Sequence, residues 1–298
     1  MEWKGIRGQV LNNVLMKRYT SMKVGGPARY MVYPADQADL SKMIGITQQT
    51  GIPCRLLGNG TNVIVGDKGL DEAIIRLTRT RRMNFEKTVT GAMVNVSGGT
   101  SLARLIRECS ERGLAGMAKL YGIPGTIAGA VKMNAGSFGV WISDHLRSVT
   151  YMSRTGSIEK REKAACGFGY RRSAFSRSEC ILSAVFDLSY GDKAAIRKEM
   201  EYVWNERWKR HPMELPSSGS IFKNISGNPA WSYIDKAGLR GLRMGDACIS
   251  EKHPNFIVNL GNATAADILS LIKKVKKDVY EQTGIRMEEE VEFWGCDG

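Results

Sequence analysis

The stretch from Gly122 to Gly139, GIPGTIAGAVKMNAGSFG, holds glycines and alanines where a core segment would carry bulky apolar residues. A backbone this bare buries little surface, but it lets amide groups approach a ligand closely and aim several N–H donors at one anion. Ile123-Pro124-Gly125-Thr126 reads as a tight turn, and Ile127-Ala128-Gly129-Ala130 as a helix start with an exposed N-terminus, a place suited to a diphosphate. A close-packed turn between core elements has the same composition, so this run alone leaves both readings open. A second run, Leu57-Gly58-Asn59-Gly60-Thr61-Asn62, stands between short apolar segments and reads as strand, tight loop, strand. It fails the dinucleotide fingerprint: Val63 stands where the third glycine should be, and Ile64-Val65 continue as strand where a helix is required. The chain has no GxxxxGK[ST] either. Two separated nests on one chain point to a long bisphosphate cofactor held by another fold.

Composition narrows the class further. The 298 residues allow two or three domains, and 43% hydrophobic with 24% charged residues is ordinary for a globular protein. No apolar run approaches the ~18–20 residues of a membrane span. MEWKGIRGQV lacks the apolar core of a signal peptide, so a cytoplasmic protein without membrane partners is expected. The six cysteines are scattered, without a CxxC or a nearby histidine, and are read as reduced, mostly buried residues that bind no metal. The net charge of +13 raises nucleic acid as a partner, but the basic clusters at Arg79, Arg81, Arg82 and Lys273 to Lys277 carry no interleaved aromatics for stacking bases. Small anionic ligands account for a positive cleft, and no nucleic-acid partner is expected.

The elements that must position these loops follow in order. Val10, Val14 and Leu15 suggest an N-terminal helix. A strand is expected over 28–33, a helix capped by Asp36 and ending at Gly51, then strands at 54–57, 63–65 and 73–77. Strand 94–97 precedes a helix from Ser101, and strands near 148–153, 157–159 and 181–189 suit an antiparallel sheet. Asp192 opens a helix that ends before Pro212. A helix over 230–237, a strand at 256–258, a Thr264/Asp267 capping box for a helix over 265–282 and a last strand over 286–294 complete the chain.

LLGNGTNVIV, GIPGTIAGAVKMNAG, FGYRRSAFS, SSGSIFKN, GDACISEKHPNFIVN and MEEEVEFWG, in this order, resemble the UDP-N-acetylenolpyruvoylglucosamine reductase (MurB) family, in its shorter, type II-like form. The resemblance runs from about Tyr19 to Gly295. It implies an α+β chain with an FAD-binding fold of the vanillyl-alcohol-oxidase (PCMH) type and a C-terminal α/β substrate-binding domain. The expected domains are 1–78 and 79–212 for FAD, with 286–298 returning to the second, and 213–285 for substrate. It also implies FAD, NADPH as reductant and UDP-N-acetylglucosamine enolpyruvate as substrate; the FAD is expected to be non-covalent, and a monomer is the default expectation.

In the implied reaction NADPH reduces FAD, and hydride then passes to the methylene carbon of the enolpyruvyl ether. The adjacent carbon and its carboxylate develop enolate charge, which calls for cations and an acid. The family pattern places Ser220 as proton donor, Arg171 on the substrate carboxylate and Glu290 as the supporting acid. Three glutamates in a row, Glu288 to Glu290, leave the register open to the residues themselves; Glu290 precedes Val291 as in the family. Lys223 could polarise Ser220 or turn to solvent. Tyr170, Asn224 and His253 match substrate contacts. The two nests give Leu57, Gly58, Asn59, Gly60, Thr61, Asn62, Gly122, Ile123, Pro124, Gly125, Thr126, Gly129, Ala130, Asn134 and Gly136 as the cofactor set. Trp231 and Arg29 depart from the family pattern. An oxidase of the same fold would not need the proton donor, and a basic binding protein would not need two nests.

Overall fold

Polar residues that precede apolar runs start most of the helices. Asp36, Ser101 and Thr126 accept hydrogen bonds from the third residue onward and cap α1 (Gln37–Thr50), α2 (Leu102–Glu111) and α3 (Ile127–Lys132). Each such cap is worth about 1 kcal/mol. Asp192 accepts from Ala194 N–H at 2.9 Å at the start of α4 (Lys193–Arg210). Asn224 reaches the first amide of α5 (Ala230–Lys236), and the Thr264/Asp267 capping box opens α6 (Ala265–Thr283). These elements are seen in a computed structural model that describes residues 3–78, 81–225 and 227–296. Arg79, expected both in a basic cluster and at a domain boundary, lies outside the described residues, as do the last two residues of the expected closing segment.

The chain forms two compact units. The first comprises Met1–Asn12, Tyr30–Gly58 and Asp71–Glu206. It holds most of a four-stranded sheet in the order Gln9–Leu15, Pro27–Tyr33, Leu70–Ile75, Cys54–Leu56, the last two parallel. Leu40, Met43 and Ile44 of α1 pack with Val32, Ala73 and Ile75 of this sheet. A five-stranded antiparallel sheet follows in the order Ile158–Glu162, Leu146–Met152, Cys180–Ser189, Gly91–Ser97, Met83–Lys87. Its period-two alternation sends Val94, Val96, Ala184 and Phe186 into a core shared with Leu102, Leu105 and Ile106 of α2 and Ile127 and Val131 of α3. That packing fixes α3, the helix within the Gly-rich stretch, against the interior strands Cys180–Ser189 and Gly91–Ser97.

The second unit comprises Asn13–Arg29, Asn59–Leu70 and Arg207–Gly298. Its antiparallel sheet runs Ser217–Ser220, Phe256–Asn259, Ala247–Ile249, Arg243–Met244. Ile268, Leu271, Ile272 and Val275 of α6 and Ile234 of α5 share a core with Ile249 and Ile257 of that sheet. Val63–Val65 pairs in parallel with Glu292–Trp294, so the chain's end lies beside the strand that follows GNGTN.

Three local expectations need correction. Residues Gln9–Leu15 are a strand and not a helix. Their apolar spacing suits either, but Asn12 and Asn13 are poor helix formers, Asn13 has φ 49°, and the strand Pro27–Tyr33 offers a hydrogen-bonding edge. Met83–Lys87 is an additional strand, paired with Gly91–Ser97 through a hairpin in which Thr88 N–H donates to Gly91 O. Only Glu292–Trp294 of the expected last strand is regular; Glu289 forms an isolated bridge with Phe222.

Candidate active site

In the first unit, Gly58, Gly98, Gly99, Thr126, Ala128 and Gly129 line an open pocket. Leu56, Leu57, Ile75, Leu77, Cys180 and Ile181 make its apolar lining, and Lys132 and Glu179 its charged one. Glu179 is bound to Arg161 at 2.8 Å and accepts from Ser176 N–H. The cradle depends on missing side chains: a Cβ on Gly58 would stand 2.6 Å from Thr126 Oγ1. Gly125 has φ 139°, which other residues rarely adopt, and its carbonyl accepts from Leu102 N–H at the head of α2.

The first turn of α3 is not the open anion trap that its sequence suggests. Ile127 N–H donates to Thr100 O and Ala128 N–H to Gly98 O, while Gly129 N–H and Ala130 N–H donate to the side chain and carbonyl of Thr126. Those four donors are spent on the fold, so the first turn of α3 offers a bare surface. Cys180 faces this cavity as a protonated thiol, its pKa pushed up to about 12 by burial, which disfavours a covalent link to a bound group.

The far end of the same stretch builds the Arg171 turn. FGYRRSAF is not extended there: Gly169 and Arg172 exchange backbone hydrogen bonds around Tyr170 and Arg171. Arg171 has φ 53°, a left-handed conformation that costs about 1–2 kcal/mol outside glycine. Its guanidinium donates to Gly136 O at 3.2 Å and lies 5.7 and 5.4 Å from the rings of Trp141 and Tyr170. Asn134, buried, donates to Gly169 O at 3.0 Å and accepts from Ser143 N–H at 3.4 Å. Asn134 and Gly136, expected among cofactor contacts, thus brace the turn that presents Arg171, and Tyr170 is exposed beside it.

In the second unit, Ser220 ends its strand opposite Phe256 and is half-buried. Ile221 O accepts from Glu290 N–H at 2.7 Å, and Lys223 N–H donates to Glu288 O at 2.9 Å, so 288–290 runs alongside 221–223. Two of the three glutamates are engaged by lysines. Glu288 pairs with Lys223 on the exposed side, and Glu289 with Lys276 of α6 at 2.7 Å. Lys223 is thereby directed to Glu288. Asn62, expected at the cofactor, donates from its side chain to Glu290 O at 3.2 Å and accepts from Glu292 N–H at 3.0 Å. Gly60 O accepts from Ser21 N–H at 2.9 Å, so the GNGTN loop is tied down on both sides.

Asn224 uses its Oδ1 to accept from Ala230 N–H at 3.1 Å. His253 sits in an aromatic cluster, with ring centroids 5.2 Å from His211, 4.9 Å from Phe256 and 6.5 Å from Trp231, and its Nδ1 accepts from Asn255 N–H at 3.3 Å. Burial lowers the pKa of both histidines to about 4, the neighbouring His253 adding to the effect on His211. Below pH 6.5 the unfolded chain gains protons on these rings that the folded chain refuses until about pH 4. Their contribution is therefore intact above pH 6.5 and is lost as pH falls toward 4. Discounted for partial exposure, denaturant titrations should show on the order of 2 kcal/mol lost between pH 7 and pH 5. His211→Phe should remove about half of that loss; an unchanged pH dependence would refute the assignment.

Within the described residues no group of three or more His, Cys, Asp and Glu could hold a metal, and no helix is long and apolar enough to cross a membrane. A family model described as FAD binding domain matches residues 28–161. A solvent-stable cholesterol oxidase shares the fold over 61% of this chain and 38% of its own, with TM-score 0.50 at 13% identity. The chain is an α+β flavoprotein with the FAD-binding fold of the vanillyl-alcohol-oxidase type. A second model, described as the C-terminal domain of UDP-N-acetylenolpyruvoylglucosamine reductase, matches residues 211–294. Reductases of that name from Symbiobacterium thermophilum and Caldicellulosiruptor saccharolyticus are 38% and 40% identical, over 97% and 96% of this chain and 93% and 92% of theirs. The crystal structure of the Thermus caldophilus enzyme superposes with TM-score 0.81 at 34% identity, covering 97% of this chain and 99% of that one. The chain belongs to the UDP-N-acetylenolpyruvoylglucosamine reductase family, FAD oxidoreductases of peptidoglycan precursor synthesis that use NADPH as reductant.

Proposed function

We propose that this chain reduces UDP-N-acetylglucosamine enolpyruvate to UDP-N-acetylmuramate in the cytoplasm, as a monomer, with NADPH as hydride source and Ser220 as proton donor. The observation that carries the reading is the backbone bond from Glu290 to Ile221, which fixes Glu290 beside the strand end that bears Ser220 while Glu288 and Glu289 engage lysines. Bound FAD would supply the hydride chemistry, carrying reducing equivalents from NADPH to the methylene carbon of the enolpyruvyl ether. Leu57, Gly58, Thr126 and Gly129 would wall the cofactor, with Lys132 as a cation in the lining, and the close approach of Gly58 to Thr126, which a Cβ would block, fits that group. Residues 59–62, the rest of the GNGTN loop, and the turn at 122–125 complete the set we assign to it.

Hydride addition makes the methylene a methyl group and leaves an electron pair on the ether carbon, spread onto the carboxylate. Arg171 holds that carboxylate with its planar fork and stabilises the added charge. Ser220 delivers the proton to the ether carbon, and Glu290 supports that proton's position. Tyr170, Asn224 and His253 contact substrate in this reading, with 213–285 as the substrate-binding domain and 1–78 and 79–212 serving FAD.

The direct test is product analysis. Protein, FAD, NADPH and the enol ether should yield UDP-N-acetylmuramate, the substrate gaining two hydrogens for each NADPH oxidised. NADPH oxidation without that product would overturn the substrate assignment. Gly58→Ala should weaken FAD binding about 10- to 100-fold by forcing Thr126 aside, as overpacking costs about 1–3 kcal/mol. Titration of apoprotein followed by flavin fluorescence checks this, and unchanged affinity would remove Gly58 from the cradle.

A further inference from the structure

Asn255 makes three hydrogen bonds to the two residues that follow Ser220. Its backbone carbonyl accepts from Ile221 N–H at 2.8 Å, its Oδ1 accepts from Phe222 N–H at 2.9 Å, and its Nδ2 donates to Phe222 O at 2.9 Å. Ile221 O receives the bond from Glu290 N–H. Asn255 is 3% exposed, so no water replaces these bonds if they are lost.

The regular sheet does not do this work. The register between Ser217–Ser220 and Phe256–Asn259 shifts between Ser217 and Ser220, and Gly219 has φ 75°. The ladder still pairs Ser220 with Phe256 but ends there, so what grips Ile221 and Phe222 sets the direction in which the chain leaves Ser220. An asparagine amide carries an NH2 donor group and a carbonyl acceptor on one rigid plane, and here both engage the same residue, Phe222. Asn255 thus continues the hold of the sheet past Ser220, alongside the backbone bonds that Ile221 and Lys223 make with 288–290.

We propose that Asn255 is a positioning residue for proton delivery, setting Ser220 relative to Glu290; this rests on the reading of Ser220 as proton donor. It touches neither substrate nor cofactor in this role. Its loss should affect protonation of the ether carbon and spare hydride entry from NADPH.

Stopped-flow absorbance of holoenzyme separates the two steps: flavin reduction by NADPH, then flavin reoxidation by UDP-N-acetylglucosamine enolpyruvate, the second in H₂O and D₂O. Asn255→Asp keeps the acceptor for Phe222 N–H and loses the donor; Asn255→Leu loses both. Asn255→Asp should leave reduction within about threefold of wild type and slow reoxidation about 100-fold, as a small misplacement of a reacting group does. Its solvent isotope effect on reoxidation should exceed that of wild type, because proton delivery becomes the slow step. Asn255→Leu should show the same pattern more strongly. Reoxidation at the wild-type rate, equal slowing of both steps with an unchanged isotope effect, or loss of FAD from Asn255→Asp would each overturn the proposal. Ser220→Ala run alongside separates the two claims. If it reoxidises like wild type, the reading of Ser220 fails; if it is slow while Asn255→Asp is not, only the role of Asn255 fails.

Discussion

Ser220→Ala is expected to slow flavin reoxidation by the enol ether by about 10²–10⁴-fold, the usual contribution of a positioned acid. Reduction by NADPH should stay near the wild-type rate, since no proton reaches the ether carbon in that step. The substitution removes one half-buried oxygen at a strand end and leaves the backbone bonds of Ile221 and Phe222 intact, so the fold should survive. A serine hydroxyl is a weak acid in water, and it serves here only if its surroundings favour the alkoxide or return its proton quickly. Ser220→Cys, with a more acidic group of similar size, should recover part of the rate. Full activity in Ser220→Ala would assign protonation to another group.

Arg171→Met is expected to lower kcat/KM by about 10²–10⁴-fold, as loss of one partner from a desolvated, hydrogen-bonded charge pair costs roughly 2–5 kcal/mol. Arg171→Lys should recover little of it, because an ammonium is a point charge and cannot match the carboxylate with two parallel bonds. The backbone supplies a control. Arg171 holds φ 53°, which glycine adopts freely. Arg171→Gly should therefore leave thermal stability unchanged or raise it slightly while abolishing the same activity. A strained arginine retained where glycine is more comfortable fits selection for its side chain. Comparable kcat/KM for Arg171→Met and wild type would refute the carboxylate role.

What was legible in the sequence was local. Asp36, Ser101, Thr126 and Thr264 announce their helices because a cap and its amide lie within one turn. Residues Gln9–Leu15 mislead because their partner strand is distant in sequence and their spacing fits a helix as well. The Arg171 turn was hidden for a similar reason: its brace, Asn134, is far upstream in the sequence. Alternation could not choose among Glu288, Glu289 and Glu290, whereas Lys223 and Lys276 select the first two by charge. Glycine content located the cavity wall but not its donors, since the amides at the head of α3 go to Thr100, Gly98 and Thr126. Asn255 gave no signal, as a buried asparagine in a loop reads like any turn residue.

Anaerobic absorbance of the purified protein, first with NADPH and then with UDP-N-acetylglucosamine enolpyruvate, tests the central claim most directly. The account predicts a flavin band that NADPH bleaches and the enol ether restores. Bleaching without recovery would contradict the substrate, and a protein with no flavin band even after addition of FAD would contradict the cofactor as well.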